Sequence, residues 1–514
     1  MTNFDLNATW AYHNGTKHSY ESIYADPHYL DWENQPLPFK IYKTLEPIPL
    51  PRDLLSSAVP ALSTVSAFNS PASSPAVPTL PMLASLLYFS AGITKRKAYP
   101  GGEILFRAAA CTGALYHVEL YLVCGDLPDL EAGVYHFGPG DFALRRLRRG
   151  DHRGMLVQAT GGEPSVAAAP LTLICTSTYW RNAWKYRSRT YRHCFWDTGT
   201  IVANLLAVAA AHDLSARAVL GFVDGAVNHL LGLDVEREAA TCLVTLGYQP
   251  ESTPDSPPPS EPLALETMPL SQKEVDYPAI RAMHAASSLS HEAEAAAWRG
   301  GTPAHPWPEP TGELFPLRPL SAADLSPDSI EQVILRRGSS RKFARVPISF
   351  AQLSTILHGA TRGIPADFLD PPGVTLNDLY LIVNAVDDLP DGAYVFRRDR
   401  EALELLRRGT FRREAGYLGL TQEIPADASA DVFFLTNLPA IIERFGNRGY
   451  RAAQLEAGII GGKLYLAAYA QRLGASGLTF FDDEVTRFFS PHAAGKSVMF
   501  LVALGKAARV RSDA

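Results

Sequence analysis

KYRSRTYRHCFWDTG, Lys185 to Gly199, has a second copy in the same chain. Shifted by 259 residues it falls on RFGNRGYRAAQLEAG, Arg444 to Gly458. Arg192 then lies over Arg451, Asp197 over Glu456 and Gly199 over Gly458. The register holds in both directions. GALYHVELYLV, from Gly113, meets the segment from Pro372, with Tyr121 over Tyr380. Gly133 and Tyr135 meet Gly392 and Tyr394, and LRRLRRGD ending at Asp151 meets LELLRRGT ending at Thr410. A slip of one residue appears only near the end, where Gly247 meets Gly505. Spacing kept over such a length marks an internal duplication. The units read as residues 1-249 and 271-514, joined by a proline-rich linker over 250-270.

The linker reading rests on PESTPDSPPPSEP, Pro250 to Pro262, with six prolines in thirteen residues. Such a stretch cannot keep a hydrogen-bonded ladder or bury a core. Other proline-rich patches are Ser56 to Pro81 and Pro303 to Pro319, the second following a predicted helix over Ser271 to Trp298. Each unit reads as α+β. Val118–Cys124, Leu171–Ser177, Leu243–Gly247, Leu379–Val383, Val432–Thr436 and Val498–Leu504 are strand-like runs. Thr200–Ala211 and Ala453–Gln471 are Ala/Leu-rich, glycine-interrupted helices suited to close packing. A duplicated unit with that apolar helix face predicts a fused pseudo-dimer within one chain.

Of the 514 residues 46% are hydrophobic and 19% charged, with net charge −6. That excludes global disorder and a nucleic-acid binder held by bulk positive charge. No apolar run reaches the roughly 18 residues of a membrane span, and no secretory signal is visible. A cytoplasmic protein is the expectation. The five cysteines, Cys111, Cys124, Cys175, Cys194 and Cys242, form no zinc-type spacing. They read as reduced, mostly buried thiols, and no metal is expected. The scattered histidines, and Trp180, Trp184 and Trp196, read as structural.

Arg337-Gly338-Ser339-Ser340-Arg341-Lys342-Phe343 precedes PISFAQLSTILHGA, an amphipathic helix. Two arginines at i and i+4 can point into one site, and guanidiniums suit a phosphate or an electron-rich ring edge. A solvated basic turn is the plain alternative. RGSSRKF with the SFAQLSTIL helix resembles the R-x-S-x-R opening of the FMN-dependent nitroreductase superfamily, and more specifically the SagB/ThcOx-type dehydrogenases. YHNGTKH near Tyr12 is similar to their N-terminal motif, ACTGALYHVELYLV to their small-residue loop and strand, and KYRSRTYRHCFWDTG to their K-Y block.

The resemblance implies an intertwined nitroreductase-like fold with flavin held between the two halves. It also implies asymmetry. The stretch of the first unit matching the arginine motif, LSTVSAFNSPA around Leu62 to Ala72, has no arginine. The second unit has Asp370 to Thr375 where the first has Cys111-Thr112-Gly113-Ala114-Leu115-Tyr116. One composite FMN site per chain is therefore expected, using Arg337, Gly338, Ser339 and Arg341 with Cys111, Thr112, Gly113, Ala114 and Leu115. Ser476-Gly477-Leu478, ahead of FFDDEVTRFF, would bring backbone N–H groups to the flavin edge. Lys506 and Arg509 stand roughly where relatives place cations on the phosphate.

Lys185 and Tyr186 match the catalytic pair of azole-forming members, whereas the second unit has Arg444-Phe445. A lysine beside a phenol can move a proton while hydride leaves. The cluster of Arg181, Arg187, Arg189 and Arg192 offers an alternative seat for a phosphate or an acidic substrate segment. The expected activity is azoline-to-azole dehydrogenation on a peptide or carrier-bound intermediate, with O2 reoxidising the flavin. The alternatives are an NAD(P)H-dependent nitroreductase or quinone-type reductase, and a flavin-binding partner subunit without catalysis. A small-molecule or peptide substrate and a biosynthetic partner protein are expected, with no nucleic acid and no membrane.

Overall fold

The computed structural model describes residues 2–68, 75–99, 102–250, 260–303 and 307–508. Each half builds a seven-stranded antiparallel sheet with one shared strand order. In the first the order is Pro47–Pro49, Ala143–Arg149, Gly133–Gly138, Val118–Cys124, Leu171–Thr178, Glu238–Leu246 and Ala216–Val219. In the second it is Leu314–Pro316, Ala402–Arg408, Gly392–Arg397, Asn377–Val383, Ala430–Thr436, Ser497–Gly505 and Gly474–Leu478. The duplication extends to irregularities. Bulges fall between Val134 and Tyr135 and between Ala393 and Tyr394, and again between Cys175 and Thr176 and between Phe434 and Leu435. These are pairs at the 259-residue offset, so the local twist was inherited with the sequence.

The central helices, Thr190–Ala211 and Arg448–Ala470, pack against each other and start several residues before the apolar runs that reveal them. Both are almost wholly buried because each meets its own sheet and the opposite helix. They cross at glycines. A Cβ on Gly199 would lie 2.6 Å from the Gly458 carbonyl carbon, and one on Gly458 would lie 2.5 Å from the Trp196 oxygen. No side chain fits there. Among the described residues the one helical stretch long and apolar enough to cross a membrane, Tyr179–Ala211, contains this buried core element.

Two three-residue ion-pair knots lock the halves together. Asp482 takes Arg189 Nη1 at 3.0 Å and Arg192 Nη1 at 2.6 Å. Its pseudo-symmetric match, Asp224, takes Arg448 Nη1 and Arg451 Nη1, both at 2.6 Å. In each knot the carboxylate belongs to one half and both arginines to the other. The two halves are therefore an interlocked pseudo-dimer, a duplicated nitroreductase-like α+β fold.

One expectation needs revision. Ser271–Trp298 is two helices, Pro278–Ala286 and Glu292–Trp298, because Pro278 can only open a helix and Ser287 Oγ bonds back to the Met283 carbonyl and ends it. Of the linker, residues 251–259 lie outside the described residues. Residues 260–270 run extended along the first half, where Thr267 bridges Tyr42 and Leu270 accepts from the Leu37 N–H.

Candidate active site

The helix Tyr179–Tyr186 stops where it carries the Lys185-Tyr186 pair, because Arg187 takes φ 51° and ψ −140°. At the matching point of the second half Gly446 takes φ 65° and ψ −162°. There glycine makes the turn without steric cost, whereas Arg187 makes it under strain. The turn aims Tyr186 across the groove at the small-residue loop: a Cβ on Gly113 would meet the Tyr186 hydroxyl at 2.7 Å. Gly113, at φ 64°, is fit for both the close approach and the backbone conformation.

Asp197, on the first central helix, fixes that loop. It accepts the Thr112 N–H at 3.0 Å, the Thr112 hydroxyl at 2.9 Å, the Cys111 thiol at 3.1 Å and His117 Nε2 at 2.8 Å. Glu456 performs the same service in the second half, accepting the N–H groups of Leu376 and Asn377. The role of Asp197 and the meeting of Cys111 with His117 were not visible in local spacing. The ligand atoms of Cys111, His117 and Asp197 lie within 4.8 Å of one another, joined by these hydrogen bonds. Burial, and then Asp197, raise the Cys111 pKa well above the usual thiol value, so the sulfur stays protonated.

The opposite wall comes from the second half. Ser340 N–H bonds the Ala475 carbonyl, which sets the arginine motif against the strand Gly474–Leu478. Ser476, Gly477 and Leu478 thus lie in an edge strand; Gly477 faces outward and its N–H meets the Tyr465 hydroxyl. That hydroxyl also contacts Ser339 Oγ at 3.3 Å. Arg337 reaches into the first half, donating from Nε to the Ala108 carbonyl and from Nη2 to the Arg107 carbonyl. Lys506 follows the last strand, its carbonyl bonded to Ala344 N–H and its side chain exposed. Arg509 lies outside the described residues, as do residues 69–72 of the arginine-free stretch in the first half.

Electrostatics separate the two groups of the Lys185-Tyr186 pair. Lys185 Nζ lies 5.4 Å from the Tyr186 ring centre. Burial, and then the Arg341 charge, lower the Lys185 pKa, while burial raises that of Tyr186. Lysine is thereby moved toward the free amine and the phenol is kept as a proton donor. Among the described residues none of Lys185, Arg341 and Lys506 has an ion-pair partner. The other arginines are committed: Arg189 and Arg192 to Asp482, Arg181 to Glu119 at 2.6 Å and Arg187 to Asp26 at 2.6 Å. The arginine cluster of the K-Y block is accordingly no seat for a phosphate.

The pseudo-symmetric groove is closed by the chain itself. Ala218, the match of Gly477, donates its N–H to the Pro365 carbonyl at 2.8 Å. The Asp367 carboxylate takes the next N–H groups, Leu220 at 2.8 Å and Gly221 at 2.7 Å. Leu206 stands at the place of Tyr465, and Arg444-Phe445 at that of Lys185-Tyr186. So one groove offers free cations and an outward glycine edge, and the other is filled.

A nitroreductase-family profile matches residues 108–248 and 334–506. This chain belongs to the nitroreductase family. A solved nitroreductase homologue of Anabaena variabilis shares the tandem architecture, covering 98% of this chain and 99% of its own at 26% identity, with a TM-score of 0.76. A nitroreductase homologue of Methanocaldococcus jannaschii is 26% identical over 30% of this chain and 74% of its own. The microcin B17-processing protein McbC of Escherichia coli is 28% identical over 29% of this chain. That match spans about half of McbC, 53% of its length. Within the family, the groove bounded by Lys185, Tyr186, Gly113, Arg341 and Gly477 is the candidate active site.

Proposed function

We propose that this family member is an FMN-dependent dehydrogenase of the azoline-to-azole type, acting on a peptide or carrier-bound intermediate. The observation that carries the reading is the convergence of the Lys185-Tyr186 pair, the glycine loop and the arginine motif in one open groove. FMN needs cations for its phosphate, backbone donors at its ring edge and small residues against its face. Arg341 and Lys506, and Gly113 with Ala114, fit the first and last of those needs, and the exposed Gly477 N–H would supply the donor on leaving the Tyr465 hydroxyl. Arg337, bonded to the two carbonyls of the first half, would hold the walls together around the ligand. When bound, FMN supplies a hydride acceptor. Lys185, biased toward its free amine, takes a proton from the substrate, and the Tyr186 phenol holds a hydrogen bond to it.

The closed second groove supports one FMN per chain. Purified protein is expected to contain one equivalent of flavin, and Arg337→Ala with Arg341→Ala to give a folded, colourless chain. Two equivalents, or a double variant that stays yellow, would overturn the site. An anaerobic titration with NADH and NADPH decides between dehydrogenase and reductase: rapid bleaching by either would favour the NAD(P)H-dependent reaction. Stable binding of flavin without turnover on any substrate would leave a partner subunit.

A further inference from the structure

The segment from Tyr20 to Trp32 gathers exposed aromatic rings more densely than any other stretch among the described residues. Tyr20 is 52% exposed, Tyr24 59%, Tyr29 83% and Trp32 67%. Single exposed aromatics are ordinary, but four in thirteen residues are not. Tyr20 and Tyr24 are in tilted contact with ring centres 4.6 Å apart. Exposed carboxylates are interleaved with them, and among the described residues Glu21, Asp31 and Glu33 have no cationic partner.

The same segment grips the turn that carries the catalytic pair. His28 Nε2 meets the Trp184 carbonyl at 2.8 Å, and Trp184 Nε1 donates to the Asp31 carbonyl at 2.9 Å. The Trp32 ring packs edge-on against Trp184 at 5.3 Å. Asp26 pairs with Arg187 at 2.6 Å, and Arg187 is the strained residue that ends the catalytic helix. In the second half, where Gly446 makes that turn freely, no catalytic pair is present. Strain held by a salt bridge from an exposed strap places a mechanical link between the surface and Lys185-Tyr186.

We propose that the strap Tyr20–Trp32 is the docking surface for a basic polypeptide segment, and that it positions the catalytic pair through Asp26 and His28. Aromatic faces beside unpaired carboxylates attract arginine and lysine side chains by cation–π contact and charge, and they disfavour an anionic surface. This deepens the reading of the site by naming its partner's chemistry, and its test does not depend on flavin. Fluorescence anisotropy is measured with a labelled Gly-Arg repeat peptide and a Gly-Ser repeat peptide of equal length. The basic peptide is expected to bind and the neutral one to bind at least about tenfold more weakly. Tyr24→Ser with Tyr29→Ser should weaken the basic peptide about tenfold with no change in flavin content or Tm. Glu21→Lys with Glu33→Lys should shift binding to a Gly-Asp repeat peptide. Equal binding of the two peptides, no binding of the basic one, or full binding by both variants would overturn the proposal. So would concentration-dependent dimerisation lost in the tyrosine variant, which would assign the strap to a second copy of the chain.

Discussion

Replacing Asp224 by asparagine tests the interlock of the two halves. The carboxylate receives Arg448 Nη1 and Arg451 Nη1 at 2.6 Å and the Leu289 N–H at 2.9 Å, and all these side chains are buried. Burial opposes the charge, but the two guanidiniums prevail and hold the carboxyl at about 2, below its ordinary 3.8. A depression of that size corresponds to about 2 kcal/mol of stability. It is present above pH about 4 and lost as the pH falls through about 2. The substitution does more than neutralise one group. It leaves two buried guanidiniums with uncharged partners, the carbonyls of Leu220, Phe222, Ser287 and His284 and the hydroxyls of Ser287 and Ser288. Breaking a buried pair in this way costs about 3–5 kcal/mol. Urea unfolding followed by tryptophan fluorescence at neutral pH should show that loss in one cooperative transition. The acid-induced drop of the wild type between pH about 4 and 2 should be smaller in the variant. A loss below about 1 kcal/mol would refute the claim that this carboxylate locks the halves.

Three further outcomes follow from the geometry. Gly458→Leu puts side-chain atoms where the Trp196 carbonyl already lies 2.5 Å from a Cβ, so the helices must part; a loss of about 2–4 kcal/mol in urea unfolding is expected. Lys463 is buried with the Gly363 carbonyl as its partner, at 3.0 Å, and burial lowers its pKa to about 8. That charge destabilises the fold fully below pH about 8 and ceases to do so above about 10.5, so Lys463→Met should raise the unfolding free energy at neutral pH by up to about 3 kcal/mol in urea unfolding, and lose its advantage in alkali. Lys185→Ala with Tyr186→Phe should abolish turnover while flavin stays bound; loss of flavin with activity would instead assign the pair to binding.

What the sequence makes legible here is inheritance, and what it hides is long-range pairing. The 259-residue offset carries strand order, bulges and the loop-holding acid from one half to the other, since each depends on residues close in sequence. The basic cluster of the K-Y block looked like an anion site because Asp482 lies 290 residues beyond Arg192. A signal was nonetheless available: Arg189, Arg192 and Asp482 recur as Arg448, Arg451 and Asp224, and a charge triad kept in both copies points to structure common to both. The asymmetric features followed the opposite logic. Lys185-Tyr186, Gly113 and the arginine motif each occur once, and the structure gathers all of them at one groove. The plug at the other groove was illegible, because Asp367 has no motif and reveals itself only when its carboxylate is seen on the Leu220 and Gly221 amides. A duplicated chain can thus be read by subtraction: residues shared by both copies build the scaffold, and residues present in one copy build the site.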